Sequence, residues 1–373
     1  MSTHNQIPNP GFFIKEELDA RGWLQRDLAY ILGIPEQAVN MILSGKRGIS
    51  SDMAKALGQA FDVPAEFFLN LQKAYELSKS GDPDPEIARR ARFQDQFPIR
   101  EMIKRGWFED LDATLLEAQI IRFFELSSAN EIPNLAHAAK KADPTTTTPA
   151  QLAWLYRVNQ IAKSMVVRRY SEKLLISALD SLEALMVDPE EIRHIPKILA
   201  ECGVRFVIVE KLPNAVIDGV CFWLNKSSPI IGMSISKDRI DNFWFVLRHE
   251  IEHVLQKHGQ KQAVIDAALE GEAAGTGPSI PEQERVANVA AANFCSPTEK
   301  MDSFINRKSP YFSERDILAF AAKHQRHPGI VIGQIQHKTD RYNLLRKHLV
   351  KVRQFILPTA MVDGWGDVAP VLI

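Results

Sequence analysis

The run Val246-Leu247-Arg248-His249-Glu250-Ile251-Glu252-His253-Val254-Leu255 contains His-Glu-x-x-His within a segment otherwise built for burial. Residues four apart on an α-helix point to one side, so His249 and His253 can direct two imidazoles at a single metal ion. Glu250, beside the first of them, is then placed to take a proton from water at that metal. Phe243, Trp244, Val246, Leu247, Ile251, Val254 and Leu255 supply the apolar positions of a strongly helical, largely buried segment. Histidines and glutamates inside such a segment are costly to bury without partners. The plain alternative is a pair of surface histidines on an ordinary helix. The metal reading makes a zinc metallopeptidase the leading expectation.

A catalytic zinc takes a third protein ligand and keeps its fourth position for water. The metzincin pattern requires Gly at the position of Leu255 and His at the position of Gly259; His258 falls one residue short. A downstream acid is the better candidate. Glu282 to Phe294 reads as a small-residue helix able to pack closely on the motif helix, with one of its acids facing the metal. Glu284 is the first choice, and Glu282, Glu272 and Glu270 are the alternatives. A glutamate at such a place is otherwise an ordinary helix-start residue in solvent.

From about Ile198 to Arg353 the chain resembles the ImmA/IrrE family of metallopeptidases. The resemblance runs in order through Gly203-Val204-Arg205-Phe206-Val207-Ile208-Val209, Ile217-Asp218-Gly219-Val220, Pro229-Ile230-Ile231-Gly232-Met233, the His249 to His253 motif and Glu284-Arg285-Val286-Ala287-Asn288. Pro328 to Gln336 resembles a late family segment. The resemblance implies a zincin-like fold, Zn2+ as cofactor, and Glu284 as third ligand beside His249 and His253. Two features depart from the family pattern: Val289-Ala290 replaces the usual Phe-Ala, and Asn293-Phe294-Cys295-Ser296 replaces a leucine-rich end before Pro297.

The first eighty residues carry short apolar-periodic helices and no chemistry. Phe12, Phe13, Ile14 and Leu18 mark a first helix ending near Gly22. Leu24, Leu28, Ala29, Ile31 and Leu32 mark a second. Gly33 breaks the chain and Pro35 opens a third, through Ala38, Val39, Ile42 and Leu43. Two helices joined by a tight Gly-containing turn are the signature of a helix-turn-helix. Ser50-Ser51-Asp52 then caps a fourth helix, Met53 to Phe61, and Pro64 starts a fifth through Phe67, Phe68 and Leu71.

Residues 7 to about 78 resemble the HigA-like antitoxin branch of the lambda-repressor-type (XRE) helix-turn-helix proteins. The resemblance lies in Gln25-Arg26-Asp27-Leu28-Ala29, Leu32-Gly33-Ile34, Val39 to Arg47 and Phe67 to Gln72. It implies that the third helix enters a major groove, with Glu36, Gln37 and Asn40 at base edges. Gln25, Lys46 and Arg47 become candidates for phosphate contacts. It further implies a homodimer on a two-fold operator of double-stranded DNA.

Composition bounds the remainder. The formal net charge is -1, with 45% hydrophobic and 24% charged residues, so no broad basic surface advertises non-specific DNA binding. Cys202, Cys221 and Cys295 are isolated, form no Cys-x-x-Cys and read as small core residues in a reducing cytoplasm. The polar start and the lack of any apolar run near the roughly 20 residues of a membrane span predict no membrane association. Ser78 to Pro85 reads as a hinge. Glu86 to about Asp188 reads mostly helical, interrupted by an exposed loop or helix start at Asp143 to Pro149. The aromatics Trp154 and Tyr156 read as core, and Arg168 and Arg169 as solvated. Leu344 to Ile356 reads as a basic amphipathic helix and Asp363 to Asp367 as a glycine-bracketed turn around Trp365.

The expected architecture is therefore mainly α with a small α+β part. A five-helix helix-turn-helix domain (1–80) precedes a helical connector (81–190), a zincin-like peptidase domain (191–357) and a tail (358–373). The expected function is a DNA-binding regulator whose peptidase domain cleaves or controls one repressor or partner protein. The competing reading is a non-catalytic antitoxin and autorepressor that neutralises a toxin and uses the peptidase fold as a sensor or interaction surface.

Overall fold

Helical periodicity and turn residues in the first eighty positions are realised as five helices, α1 (Pro10–Arg21), α2 (Gln25–Leu32), α3 (Glu36–Leu43), α4 (Ser51–Phe61) and α5 (Ala65–Lys79). The computed structural model describes residues 7–129, 131, 133, 147–260, 264–266 and 281–366, and the chain divides into two units, Met1–Ile87 and Ala88–Ile373. In the first unit Ile14, Leu18, Leu28, Val39, Ile42, Leu43, Leu57, Phe61 and Phe68 close one core. Ser50 caps α4 by accepting the Met53 N–H at 3.3 Å, and Gln72 Oε1 on α5 accepts the Ile49 N–H at 3.0 Å. The loop after α3 is thereby tied to α5.

The second unit is built around a five-stranded mixed sheet. Its strands are β1 (Arg205–Val209), β2 (Gly219–Trp223), β3 (Pro229–Met233), β4 (Val264–Asp266) and β5 (Met361–Asp363), in the order β4-β2-β3-β1-β5. β1 lies parallel to β3, with Arg205 opposite Ile230, and parallel to β5, whereas β2 is antiparallel to β3 and β4. β2 and β3 are buried along their whole length, which requires cover on both faces. Alternation assigns those faces. Val207, Val209, Val220, Phe222 and Ile230 join one core with Phe93, Trp154 and Val158. Phe206, Ile208, Cys221, Trp223, Ile231 and Met233 join another with Leu175, Leu199, Trp244 and Leu247.

The helices of the second unit follow from that division. α6 (Pro85–Gln96), α7 (Ile99–Lys104), α8 (Ala113–Phe123) and α9 (Pro149–Ser164) contribute to the first core. α10 (Glu172–Ala184), α11 (Ile195–Glu201) and α12 (Ile240–Leu255) contribute to the second. α13 (Glu282–Cys295), α16 (Pro328–Thr339) and α17 (Arg353–Ile356) add Cys295, Ile330 and Ile356 to it, while α14 (Thr298–Lys308) and α15 (Glu314–Lys323) close a further core with α16 through Met301, Phe304, Ile317, Phe320 and Ile335. α9 opens with a capping box, in which Gln151 N donates to Thr148 Oγ1 at 3.3 Å and Thr148 N donates to Gln151 Oε1 at 3.1 Å. Trp154 on α9 is fully buried and donates its indole N–H to the Val209 carbonyl at 2.8 Å.

Three expectations change here. Of the helices expected as a connector, α6, α7, α8 and α9 pack into the core on one face of the sheet and α10 into the core on the other; the aromatics Trp154 and Tyr156 are core and Arg168 and Arg169 are exposed. The basic helix expected over Leu344 to Ile356 is two short pieces, a 3-10 turn at Arg346–His348 and α17. Leu345 sits at φ 44, and Asp238 Oδ1 accepts the Val352 and Arg353 N–H groups at 2.8 and 2.9 Å, so tertiary hydrogen bonds replace the helical ones. The tail contributes β5, and Trp107 Nε1 donates to Asp363 Oδ2 at 2.9 Å. Residues 143–146 and Asp367 lie outside the described residues. Among the described residues no helix is long and apolar enough to cross a membrane.

Two predictions follow from this packing. Trp154→Ala removes a side chain wedged between α9 and the sheet and should lower the stability of the second unit by about 3–5 kcal/mol in denaturant titration; a change within a few tenths would contradict the layered arrangement. His327 supplies the second. Its Nδ1 caps α16 by accepting the Gly329 N–H at 3.1 Å, and burial, aided by His348 and opposed by Asp188, holds its pKa below the ordinary 6.5. The unfolded chain then takes up a proton that the folded chain resists. Its contribution to stability is present above about pH 6.5 and is lost as pH falls through the depressed folded value. His327→Asn, which keeps an acceptor, should flatten the fall in melting temperature between neutral and mildly acidic pH. An unchanged slope would reject this assignment.

Candidate metal centre and nucleic-acid interface

All of α12 except Phe245 and Leu255 is buried, including its polar residues. The i, i+4 spacing brings His249 Nε2 and His253 Nε2 to 3.0 Å from each other. α13 delivers the third group, with Glu284 Oε2 at 3.3 Å from His249 Nε2 and 3.6 Å from His253 Nε2. Ala287 and Ala291, one and two turns beyond Glu284, are fully buried and let α13 approach α12 closely. Both histidines are 0% exposed and Glu284 is 3% exposed.

This donor set fits a zinc ion. Bonds of about 2.0–2.1 Å in a tetrahedral arrangement place ligand atoms about 3.3 Å apart, close to the three separations found here. Among the described residues, these three form the one buried set of metal-ligating groups whose donor atoms lie within 4.8 Å of one another. The alternative acids do not join them. Glu282 is exposed and paired with Arg285, while Glu270 and Glu272 lie outside the described residues.

Glu250, next to His249 in the chain, is fully buried. Its carboxylate packs against Gly219 at the start of β2. A Cβ added at Gly219 would overlap Glu250 Oε1 and lie 2.8 Å from its carboxyl carbon. Gly219 lies on the α12 side of the sheet, two residues from Cys221, so its missing side chain is the room that Glu250 occupies. Glu252, on the same helix, is engaged elsewhere: it accepts from Arg248 Nη2 at 2.7 Å and from Gln256 Nε2 at 2.7 Å. Burial pushes its carboxyl up, but these hydrogen bonds and the positive charge of Arg248 outweigh it and hold the pKa below the ordinary value. Sequence reasoning missed two members of this site. Gly219 could be found only by knowing which strand faces the motif helix. His258, whose Nδ1 lies 2.9 Å from His253 Nδ1, had drawn notice only as out of register for another ligand pattern.

In the first unit, Glu36, Gln37 and Asn40 are all exposed along α3. Gln25 opens α2, and Lys46 and Arg47 follow α3; these three are exposed as well. No hydrogen bond or ion pair with other described residues engages any of these six side chains. Val39, Ile42 and Leu43 hold the opposite face of α3 in the core. The arrangement presents one polar helix face with two cations at its C-terminal end. That disposition suits reading a groove while contacting phosphates.

Residues 14–68 match the helix-turn-helix family. The chain is similar to virulence-associated protein A' of Dichelobacter nodosus, with 42% identity over 76 residues, 20% of this chain and 66% of that protein. It is also similar to virulence-associated protein I of the same organism, at 36% identity over 20% of this chain and 70% of the relative. The uncharacterized HTH-type transcriptional regulator YddM of Escherichia coli (strain K12) is 30% identical over 20% of this chain and 78% of its own length. Among solved structures, an addiction module antidote protein of a HigA family from Coxiella burnetii shares 38% identity, covering 20% of this chain and 80% of that one with a TM-score of 0.19. The Pseudomonas aeruginosa antitoxin HigA with its higBA promoter shares 38%, covering 19% and 79%, also with a TM-score of 0.19. Through its first unit, the chain belongs to the helix-turn-helix family.

Proposed function

We propose that this chain is a DNA-binding regulator carrying a zinc-dependent endopeptidase of the ImmA/IrrE type, which cleaves or controls one regulatory protein. The observation that carries the enzymatic part is the convergence of His249, His253 and Glu284 within 3.0–3.6 Å, with Glu250 buried next to His249 in the chain and seated against Gly219. Zinc bound there supplies Lewis acidity toward a peptide carbonyl and toward water. His249 and His253 would hold it through Nε2 and Glu284 through Oε2. Glu250 is the proton acceptor, taking a proton from the attacking water and returning it to the leaving amine.

For the first unit, we propose that α3 enters the major groove of operator DNA. Glu36, Gln37 and Asn40 then face base edges, and Gln25, Lys46 and Arg47 face phosphates, the protein binding as a homodimer. The similarity of this unit to antitoxin-type proteins favours a second reading in which the chain represses its own promoter and neutralises a toxin. The two readings are compatible in one cytoplasmic protein, and Glu250 separates them. A scaffold has no chemical need for a carboxylate beside three metal donors.

Purified full-length protein should contain zinc near one equivalent per chain, and His249→Ala should lose it. Glu250→Gln and Gly219→Ala should both retain zinc while abolishing cleavage of the partner protein, the second by displacing the Glu250 carboxylate. Cleavage at the parent rate in Glu250→Gln would reject Glu250 as the proton acceptor, and no cleavage by the zinc-containing parent would leave only the regulator reading. For the DNA interface, Gln37→Ala and Asn40→Ala should each weaken binding to the chain's own promoter by about 1–3 kcal/mol in a titration at fixed salt. Unchanged affinity would reject this placement of α3.

A further inference from the structure

We infer that His258 is a positioning residue for the metal centre: it fixes the tautomer and ring orientation of His253 by accepting a hydrogen bond from it. The inference rests on the zinc reading above and deepens it. His253 turns Nε2 toward His249 and Glu284, and its other ring nitrogen, Nδ1, lies 2.9 Å from His258 Nδ1. An imidazole that offers the Nε2 lone pair to a metal carries its proton on Nδ1. That proton has to point at His258 Nδ1, which therefore presents a lone pair and keeps its own proton on Nε2. Metal-bound histidines ordinarily donate this second N–H to a carboxylate, a backbone carbonyl or water. Here a neutral imidazole takes that part.

His258 is held for the purpose by contacts unrelated to its ring. Its N–H donates to the His253 carbonyl at 2.9 Å, just past the end of α12. Its own carbonyl accepts from Trp223 Nε1 at 2.8 Å and from Cys221 Sγ at 3.7 Å, both on β2. Gly259 follows in the left-handed region at φ 77, where a Cβ would lie 2.5 Å from the Cys221 carbonyl oxygen. The backbone on both sides of the ring is thus pinned, one side to the motif helix and the other to the strand that makes room for Glu250. A half-buried ring fastened in this way has little freedom to leave His253.

The test is the zinc affinity of the full chain, measured by competition with a chromogenic chelator, with thermal melting of the apo proteins as a folding control. His258→Ala should weaken zinc binding by about 10–100-fold. His258→Asn, whose side-chain oxygen restores an acceptor near the Nδ1 position, should recover most of that loss. Parent-like affinity in His258→Ala would overturn the proposal while leaving the zinc site standing. So would an equal loss in both variants with unchanged apo melting, since that outcome reports packing alone. A parent chain that takes up no zinc overturns this inference and the zinc reading together. If His258→Ala does not fold, His258→Asn carries the test: near-parent affinity supports the role, and a loss of about 10-fold or more contradicts it.

Discussion

Within two turns, α12 takes His249, Glu250, Glu252 and His253 out of water, and the second unit is organised around meeting the cost of that burial. A buried charge left unpaired costs several kcal/mol, and each neutral polar group left unsatisfied costs about 1–3 kcal/mol. Arg248 and Gln256 answer Glu252 from the same helix. The two imidazoles are answered from elsewhere, by Glu284 on α13 and by His258 beyond the helix end. A divalent cation among the three donors would neutralise the carboxylate and use both imidazole lone pairs at once.

Strand β2 carries much of the geometry. One end, at Gly219, gives the Glu250 carboxylate its place; the other, through Cys221 and Trp223, clamps the turn that carries His258. The strand is buried on both faces, with Val220 and Phe222 packed into the core that holds Trp154. Close packing makes such a strand a stiff frame.

How much of this was legible in the sequence depended on how local the signal was. The five helices of the first unit were readable because each is short, amphipathic and punctuated by Gly or Pro, and its core residues are near neighbours in the chain. The pair His249 and His253 is one helical turn, so spacing alone placed it. Glu284 is 31 residues further on, and the residues themselves left four acids open; only the packing of small residues on α13 turns this one inward. The periodicity of α9 announced a helix but not what it would cover, and so a layer of the second unit read as a connector. Met361–Asp363 is too short for any period to show, and its inclusion in the sheet depends on parallel pairing with β1, more than 150 residues earlier.

A buried set of metal-donor groups and an exposed polar helix face occupy different units of one chain, and the proposed combination describes a regulator better than a general protease. The central claim is the identity of the three donors. It is tested most directly by X-ray absorption at the zinc edge of the zinc-loaded full chain. The account predicts a first shell of imidazole nitrogen and carboxylate or water oxygen at about 2.0–2.2 Å, with the scattering pattern of two histidines and no sulfur. A sulfur shell at about 2.3 Å, or an oxygen shell without imidazole scattering, would contradict it.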